Sequence, residues 1–240
     1  MKCTKLRSAS RWRGPCLMAV AAFLVLMTSV SVSATPVSGT ANINGTVTVG
    51  TTGIAFFNNL SVPNVFNAAP SDGSYTGLTG GTIQNLSGPP VTGSISIVDF
   101  ATFFVPTGNV FFDLQNIFAG VGSAANCTNN NIGSVCTPPG SPFTLTQTNT
   151  GVTVTLALSG VAYTGTSSTG ASPTGGLFTA QVTTPGHITE VLAEVANNTL
   201  VKQTYSASFT STAVPEPATF GLIGTALLGV GLLKFRRARS

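Results

Sequence analysis

The sequence predicts an all-β chain: an antiparallel β-sandwich or jelly-roll-like domain set between two apolar end segments. Three observations lead there. Apolar residues recur at every second position through the middle of the chain. Turn-forming clusters separate those runs, and the basic residues crowd into the two ends.

Neighbouring side chains on a strand point to opposite faces, so strict alternation marks a strand with one buried face. Thr46-Val47-Thr48-Val49 and Ser94-Ile95-Ser96-Ile97 alternate, as does the run over residues 152–158. Over residues 204–210, Tyr205, Ala207 and Phe209 fall on one face. Pro70-Ser71-Asp72-Gly73 and Gly88-Pro89-Pro90 supply turns between such runs. Many short strands punctuated this way suit a sandwich or jelly roll. One segment differs: Ile188, Val191, Leu192 and Val195 follow Pro185-Gly186 at helical spacing, and Asn197-Asn198 can end a short helix. No fixed-period repeat supports a solenoid or propeller.

The formal charge of +4 is misleading as a whole-chain number. Lys2, Lys5, Arg7, Arg11 and Arg13 precede residue 14, and Lys234, Arg236, Arg237 and Arg239 close the chain. Between Thr35 and Ala213 only Lys202 faces Asp72, Asp99, Asp113, Glu190 and Glu194, which leaves that stretch at −4. Nucleic-acid binding needs a clustered basic face, so that partner is excluded. Recurrent Val, Ile, Leu and Phe argue for a packed core rather than disorder.

The first end reads as a secretory signal peptide over residues 1–34. A basic stretch leads into an apolar core over 17–27, and Val32 and Ala34 stand at −3 and −1. Cleavage is expected after Ala34, by signal peptidase following passage through the Sec machinery. The apolar core is short for a span that needs about 20 residues. Cys16 precedes the core, which argues against a lipid-modified cysteine.

At the other end, Val214-Pro215-Glu216-Pro217 precedes an uncharged apolar run over residues 218–233. Two prolines around one residue hold that peptide extended, since each restricts the residue before it. The 16 residues of the run rise ~24 Å as a helix, somewhat short of a hydrocarbon core of about 30 Å. Snorkelling by Lys234 and Arg236 would make up part of the difference. Lys234, Arg236, Arg237 and Arg239 form a basic stop signal that holds this end in the cytoplasm and leaves the middle outside. The organisation expected is a signal peptide (1–34), an exported β-rich domain (35–213) and a membrane tail (214–240), the tail comprising the 214–217 motif, the 218–233 transmembrane helix and the basic 234–240 segment.

Together the triplet, the apolar run and the basic terminus resemble the PEP-CTERM sorting domain, a tail also catalogued as an ice-binding protein C-terminal domain. The resemblance covers about the last 25 residues, with Val214 to Pro217 and Arg236-Arg237 matching. It implies a substrate of an exosortase, a membrane transpeptidase that cuts near the motif, in an envelope that produces exopolysaccharide or biofilm. Such a protein is anchored in the inner membrane first, then reaches the cell surface or matrix. No ice-binding role follows from the tail, because the Thr-rich runs suit ordinary solvent-facing strands.

Catalysis finds little material. His187 is the one histidine and stands where the helix would begin, as a surface or capping residue. Zinc needs about three protein ligands, so no metal or cofactor is expected. Asp99 and Asp113 could meet across a sheet, but glycoside hydrolysis needs two carboxylates opposed in a pocket. The function expected is therefore a non-catalytic envelope or matrix protein, with exopolysaccharide as a partner. A carbohydrate-binding or adhesin module is the alternative. It would use exposed aromatics, and alternation turns one of each pair, Phe103-Phe104 and Phe111-Phe112, inward. A secreted hydrolase would have to gather Asp99, Asp113 or His187 in one pocket.

Cys3 and Cys16 leave with the signal, so Cys127 and Cys136 remain as an even pair in an exported chain. A disulfide there would stabilise a polar loop by about 2–3 kcal/mol. In the unreduced exported protein, an alkylating agent is expected to modify neither thiol; mass spectrometry showing both modified would refute the pairing.

Overall fold

The computed structural model describes residues 35–214, apart from 89–91, 167, 169, 185 and 198, together with residue 224. The signal peptide, the Ala34 cleavage position, Pro215 to Pro217, the 218–233 segment and the basic terminus lie outside the described residues. Among the described residues no helix is long and apolar enough to cross a membrane.

The strands are β1 (Gly39–Gly50), β2 (Gly53–Phe57), β3 (Val65–Ala68), β4 (Gly80–Ile83), β5 (Leu86–Ser87) and β6 (Gly93–Phe104). There follow β7 (Val110–Ile117), β8 (Val135–Cys136), β9 (Phe143–Thr148), β10 (Gly151–Thr164), β11 (Ser172–Val182) and β12 (Val201–Ser211). Helix α1 (Ile188–Ala196) lies between β11 and β12, as the spacing of its apolar residues predicts. The all-β class holds, but the architecture is a closed barrel and not the expected sandwich or jelly roll. Strands β1, β3, β4, β6, β7, β10, β11 and β12 succeed one another around the wall in chain order, each antiparallel to the next. β12 then returns to β1 along its whole length, from Gly39↔Ser211 to Val49↔Val201. Alternation reveals that a strand has one buried face; it carries no information on whether a sheet stacks on another or curls onto itself.

Period-two patterning fills the interior. From β12, Val201, Tyr205, Ala207, Phe209 and Ser211 point inward and are buried; from β1, Ala41, Ile43 and Val47 do so. Phe209 is the hub of an aromatic cluster, with ring centroids 5.3 Å from Phe103, 5.2 Å from Phe112 and 5.5 Å from Phe178, all edge-on. Edge-to-face pairs of this kind add to the burial of the rings themselves. Curvature comes from irregularities in the ladders. The β7–β10 register shifts between Ser159 and Gly160, and a Cβ on residue 160 would lie 1.8 Å from the Asp113 carbonyl oxygen. Only glycine allows β7 and β10 to approach so closely.

The two rims differ. At one, where β1 starts and β12 ends, buried polar groups seal the interior. The Tyr75 hydroxyl is hydrogen-bonded to Ser211 Oγ at 2.7 Å, Ser211 Oγ to Thr174 Oγ1 at 2.8 Å, and the Val37 amide donates to Ser172 Oγ at 2.8 Å. At the other rim the wall divides. β2 pairs with residues 46–50 of β1 and with β5, while β9 pairs with residues 151–156 of β10 and with β8. Helix α1 and the loop carrying the cysteines pack over this flared end.

Removing the hub ring leaves a void that its neighbours cannot close. Phe209→Ala is expected to cost about 3–5 kcal/mol, read as a lower midpoint in chemical denaturation.

A candidate binding cleft at the open rim

The flared rim holds an apolar cleft of about 490 Å³. Its floor comes from inward positions of adjoining strands: Val47 and Val49 of β1, Val154 of β10, Ala180 and Val182 of β11, and Val201 of β12. Val191, Leu192 and Val195 of α1 close one side, and the Pro138–Ser141 segment with Phe143 and Leu145 closes another. Thr51, Ser141 and Gln203 are its polar side chains, and no ionisable side chain lines it among the described residues. A second space of about 40 Å³ lies deeper in the barrel and shares Val47, Val49, Phe143, Val154 and Ala180 with the first. Ile54, Phe56, Leu156, Phe178, Thr179 and Tyr205 complete it.

The helix is held over the cleft by polar contacts that sequence reading missed. Gln147, 3 % exposed, donates through Nε2 to the Gly186 carbonyl at 2.8 Å and accepts from the Ile188 amide at 3.1 Å. It thereby fixes the first turn of α1 to β9. His187 occupies the N-cap, and its amide donates to the Glu190 carboxylate at 3.2 Å. That is the capping place its position in the sequence suggests. Cys127 and Cys136 are joined in a disulfide, with Cα atoms 5.0 Å apart. Cys136 packs with Leu145, Val152, Val182, Ile188 and Val191 in one small core. From the same loop, Asn130 Nδ2 donates to Thr189 Oγ1 at 2.9 Å, so the disulfide loop and the helix brace each other.

The acidic candidates lie elsewhere. Asp99 and Asp113 do meet, on the outer wall and around a residue not singled out in the sequence. The Tyr163 hydroxyl donates to Asp99 Oδ1 at 2.9 Å and to Asp113 Oδ1 at 3.2 Å. The Asp99 amide donates to Asp113 Oδ1 at 2.8 Å. A bulge in β6 produces this meeting: its register against β7 shifts on both sides of Ile97, and Asp99 sits at φ 51°, in the left-handed region. Neither acid lines the cleft, nor does His187. The aromatic pairs split as alternation predicts. Phe103 and Phe112 are fully buried, Phe104 is 40 % exposed, and Phe111 stacks on Tyr163 with centroids 5.6 Å apart.

Burial also sets the tyrosine chemistry. Desolvation pushes the Tyr75 phenol up to about 12 against the opposing hydrogen bond with Ser211. Desolvation alone pushes Tyr205 well above the ordinary tyrosine value. Tyr163 rises through desolvation first, then through its bonds to Asp99 and Asp113 and their charge. The Tyr205 hydroxyl and Thr137 Oγ1 are the two buried side-chain oxygens without a hydrogen-bond partner among the described residues.

An unfolded tyrosine ionises near 10.0, while the folded barrel keeps these phenols protonated to higher pH. Stability is therefore complete below pH 10 and is lost as pH rises through the folded-state values. A series of thermal melts above neutrality should show a flat melting temperature, then a fall beginning near pH 10. Tyrosinate absorbance should appear together with unfolding, and Tyr205→Phe should make the fall shallower.

No curated protein and no solved structure matches the chain. Residues 213–238, which begin two residues after β12 ends, match the PEP-CTERM protein-sorting motif. The chain carries a PEP-CTERM sorting tail, and that tail implies an exported protein handled by an exosortase.

Proposed function

We propose that the chain is a non-catalytic envelope protein, exported as a β-barrel and delivered by an exosortase to the cell surface or extracellular matrix. The observation that carries this reading is the sorting motif at residues 213–238, joined almost directly to the last barrel strand. In this reading Sec export and signal peptidase remove residues 1–34, and residues 218–233 anchor the chain in the inner membrane. The basic terminus stays inside, and Val214-Pro215-Glu216-Pro217 meets the exosortase outside. Val214 is exposed just beyond the sealed rim, as a segment offered to an enzyme has to be. A binding rather than a chemical role is supported by the disposition of the polar groups. Asp99 and Asp113 share Tyr163 on the outer wall, and the cleft at the open rim is lined mainly by apolar side chains.

Association with exopolysaccharide is the further reach of the proposal. Its support is the outer wall of β1, β12, β11 and β10, where short uncharged side chains stand in register. Thr40 pairs with Thr210, Asn42 with Ser208, Asn44 with Ser206, and Thr179 with both Ser206 and Thr155. Hydroxyls and amides without charge can exchange hydrogen bonds with a neutral glycan at little desolvation cost. An adhesin that grips sugar through aromatics is the second reading, favoured by the exposed Phe104 and the half-buried Phe111 on the outer wall.

Replacing Pro215, Glu216 and Pro217 together by alanine is expected to leave the protein in the inner-membrane fraction. Undiminished delivery to the surface or medium would refute the sorting account. Retardation on polysaccharide affinity gels that vanishes in Phe104→Ala with Phe111→Ala would favour the adhesin. Retardation that survives those changes would favour the hydroxyl wall.

A further inference from the structure

We propose that the cleft at the open rim binds one uncharged, chain-like apolar molecule whose leading end carries a hydroxyl or carbonyl group, and that this end reaches toward Tyr205. The proposal rests on the interior of the barrel and is independent of how the tail is processed.

Four observations converge on this class. The cleft of about 490 Å³ lies within the range typical of small-molecule sites, and an eight-stranded barrel has an interior suited to one small ligand. Its walls are aliphatic: Val49, Val154, Val182, Val191 and Val195 would release water on contact with a hydrocarbon. No ionisable side chain lines it among the described residues, so a carboxylate or ammonium drawn inside would lose its hydration without a counter-charge. That argues against fatty acids and amines and for neutral molecules. Finally, Tyr205, 4 % exposed, lines the deeper space that shares Val47, Val49, Phe143, Val154 and Ala180 with the cleft, and its hydroxyl has no hydrogen-bond partner among the described residues. A buried hydroxyl left unpaired is costly, and an alcohol or carbonyl at the leading end of a ligand supplies what it lacks.

The fold keeps Tyr205 in that place. Its pair across β1 is Gly45, where an added Cβ would lie 2.9 Å from the Tyr205 ring. The ring rests over the glycine and packs on Phe56 and Phe178 at 5.7 and 5.6 Å. The open rim lies at the Val49↔Val201 end of the β1–β12 ladder, and the tail departs from the Gly39↔Ser211 end. The cleft thus opens at the rim opposite the one where the chain leaves β12.

The test uses the full chain in a fluorinated surfactant, with surfactant alone as the blank and the uncharged dye N-phenyl-1-naphthylamine as probe. Saturable enhancement at one dye per chain is expected. Dodecanol should displace the dye, and dodecanoate at alkaline pH should be at least tenfold weaker. Val195→Glu, which puts a charge on the helix side of the cleft, should weaken the dye at least tenfold with an unchanged circular dichroism melt. Tyr205→Phe should leave dye binding intact and weaken dodecanol severalfold. The proposal is overturned by absence of saturable binding, by equal competition from dodecanoate, or by dodecanol binding indifferent to Tyr205→Phe. It is equally overturned if sedimentation shows a dimer whose formation excludes the dye, for then a second copy is the occupant.

Discussion

The pairing of β1 with β12 governs the rest of the molecule. It joins the first strand of the described chain to the last, over eleven residue pairs running from Gly39↔Ser211 to Val49↔Val201. Loop-closure entropy grows only slowly with length, so a ladder that long readily offsets the cost of joining distant segments. Two consequences are geometric. Both connections to the chain ends leave from one rim, and whatever lies at the other end of the ladder opens away from them. A third concerns timing. The barrel cannot close until β12 is available, and β12 ends two residues before the sorting motif starts. In an exported chain, completion of the fold and arrival of the motif outside are nearly the same event.

The two rims are built from different chemistry, and that difference makes one a seal and the other a site. At the sealed rim, buried hydroxyls satisfy one another: Tyr75, Ser211 and Thr174 form a chain that leaves no oxygen unpaired. At the open rim, β2 and β9 draw away from the barrel wall. Their departure would expose Val47, Val49 and Val154, and α1 with the disulfide loop covers them only in part. Gln147 and Cys136 hold that cover in place from beneath. The aromatic cluster around Phe209 separates the two ends, so the cleft has a firm floor above a sealed base.

How far this was legible in the sequence depends on the range of each signal. Features set by neighbours within a few residues were readable: the inward Tyr205, Ala207 and Phe209, the division of the Phe103-Phe104 and Phe111-Phe112 pairs, the helix at 188–196, and the Cys127–Cys136 pair. Features set by register between distant strands were not. The Asp99–Asp113 contact depends on a bulge that puts Asp99 at positive φ, and on Tyr163, which stands 50 residues from Asp113. The cleft draws on β1, β9, β10, β11, α1, β12 and one proline-containing loop, and no local pattern marks its members. Valines at 49 and 154 read only as alternating positions of two separate strands, and Val201 lies outside the runs that alternation picks out. The sandwich expectation failed for the same reason, because closure is decided by which edges find each other.

That closure answers a difficulty the composition creates. Exposed strand edges invite pairing with other chains, and proteins commonly guard them with charge, particularly lysine. Here the exported region has one lysine and five acids, far too few to protect the edges of a two-sheet sandwich. A barrel removes the principal edges instead of guarding them. The strands left at the margins are β5 and β8, two residues each, too short to template another sheet. Lys202, the one lysine there, sits opposite Thr48 in the stretch of β12 beyond Tyr205 that pairs with β1 but not with β11, the short edge that closure leaves open. Closure thus lets the outer wall carry little charge and present threonine, serine and asparagine in its place, which is the surface a neutral, hydrated surrounding would meet.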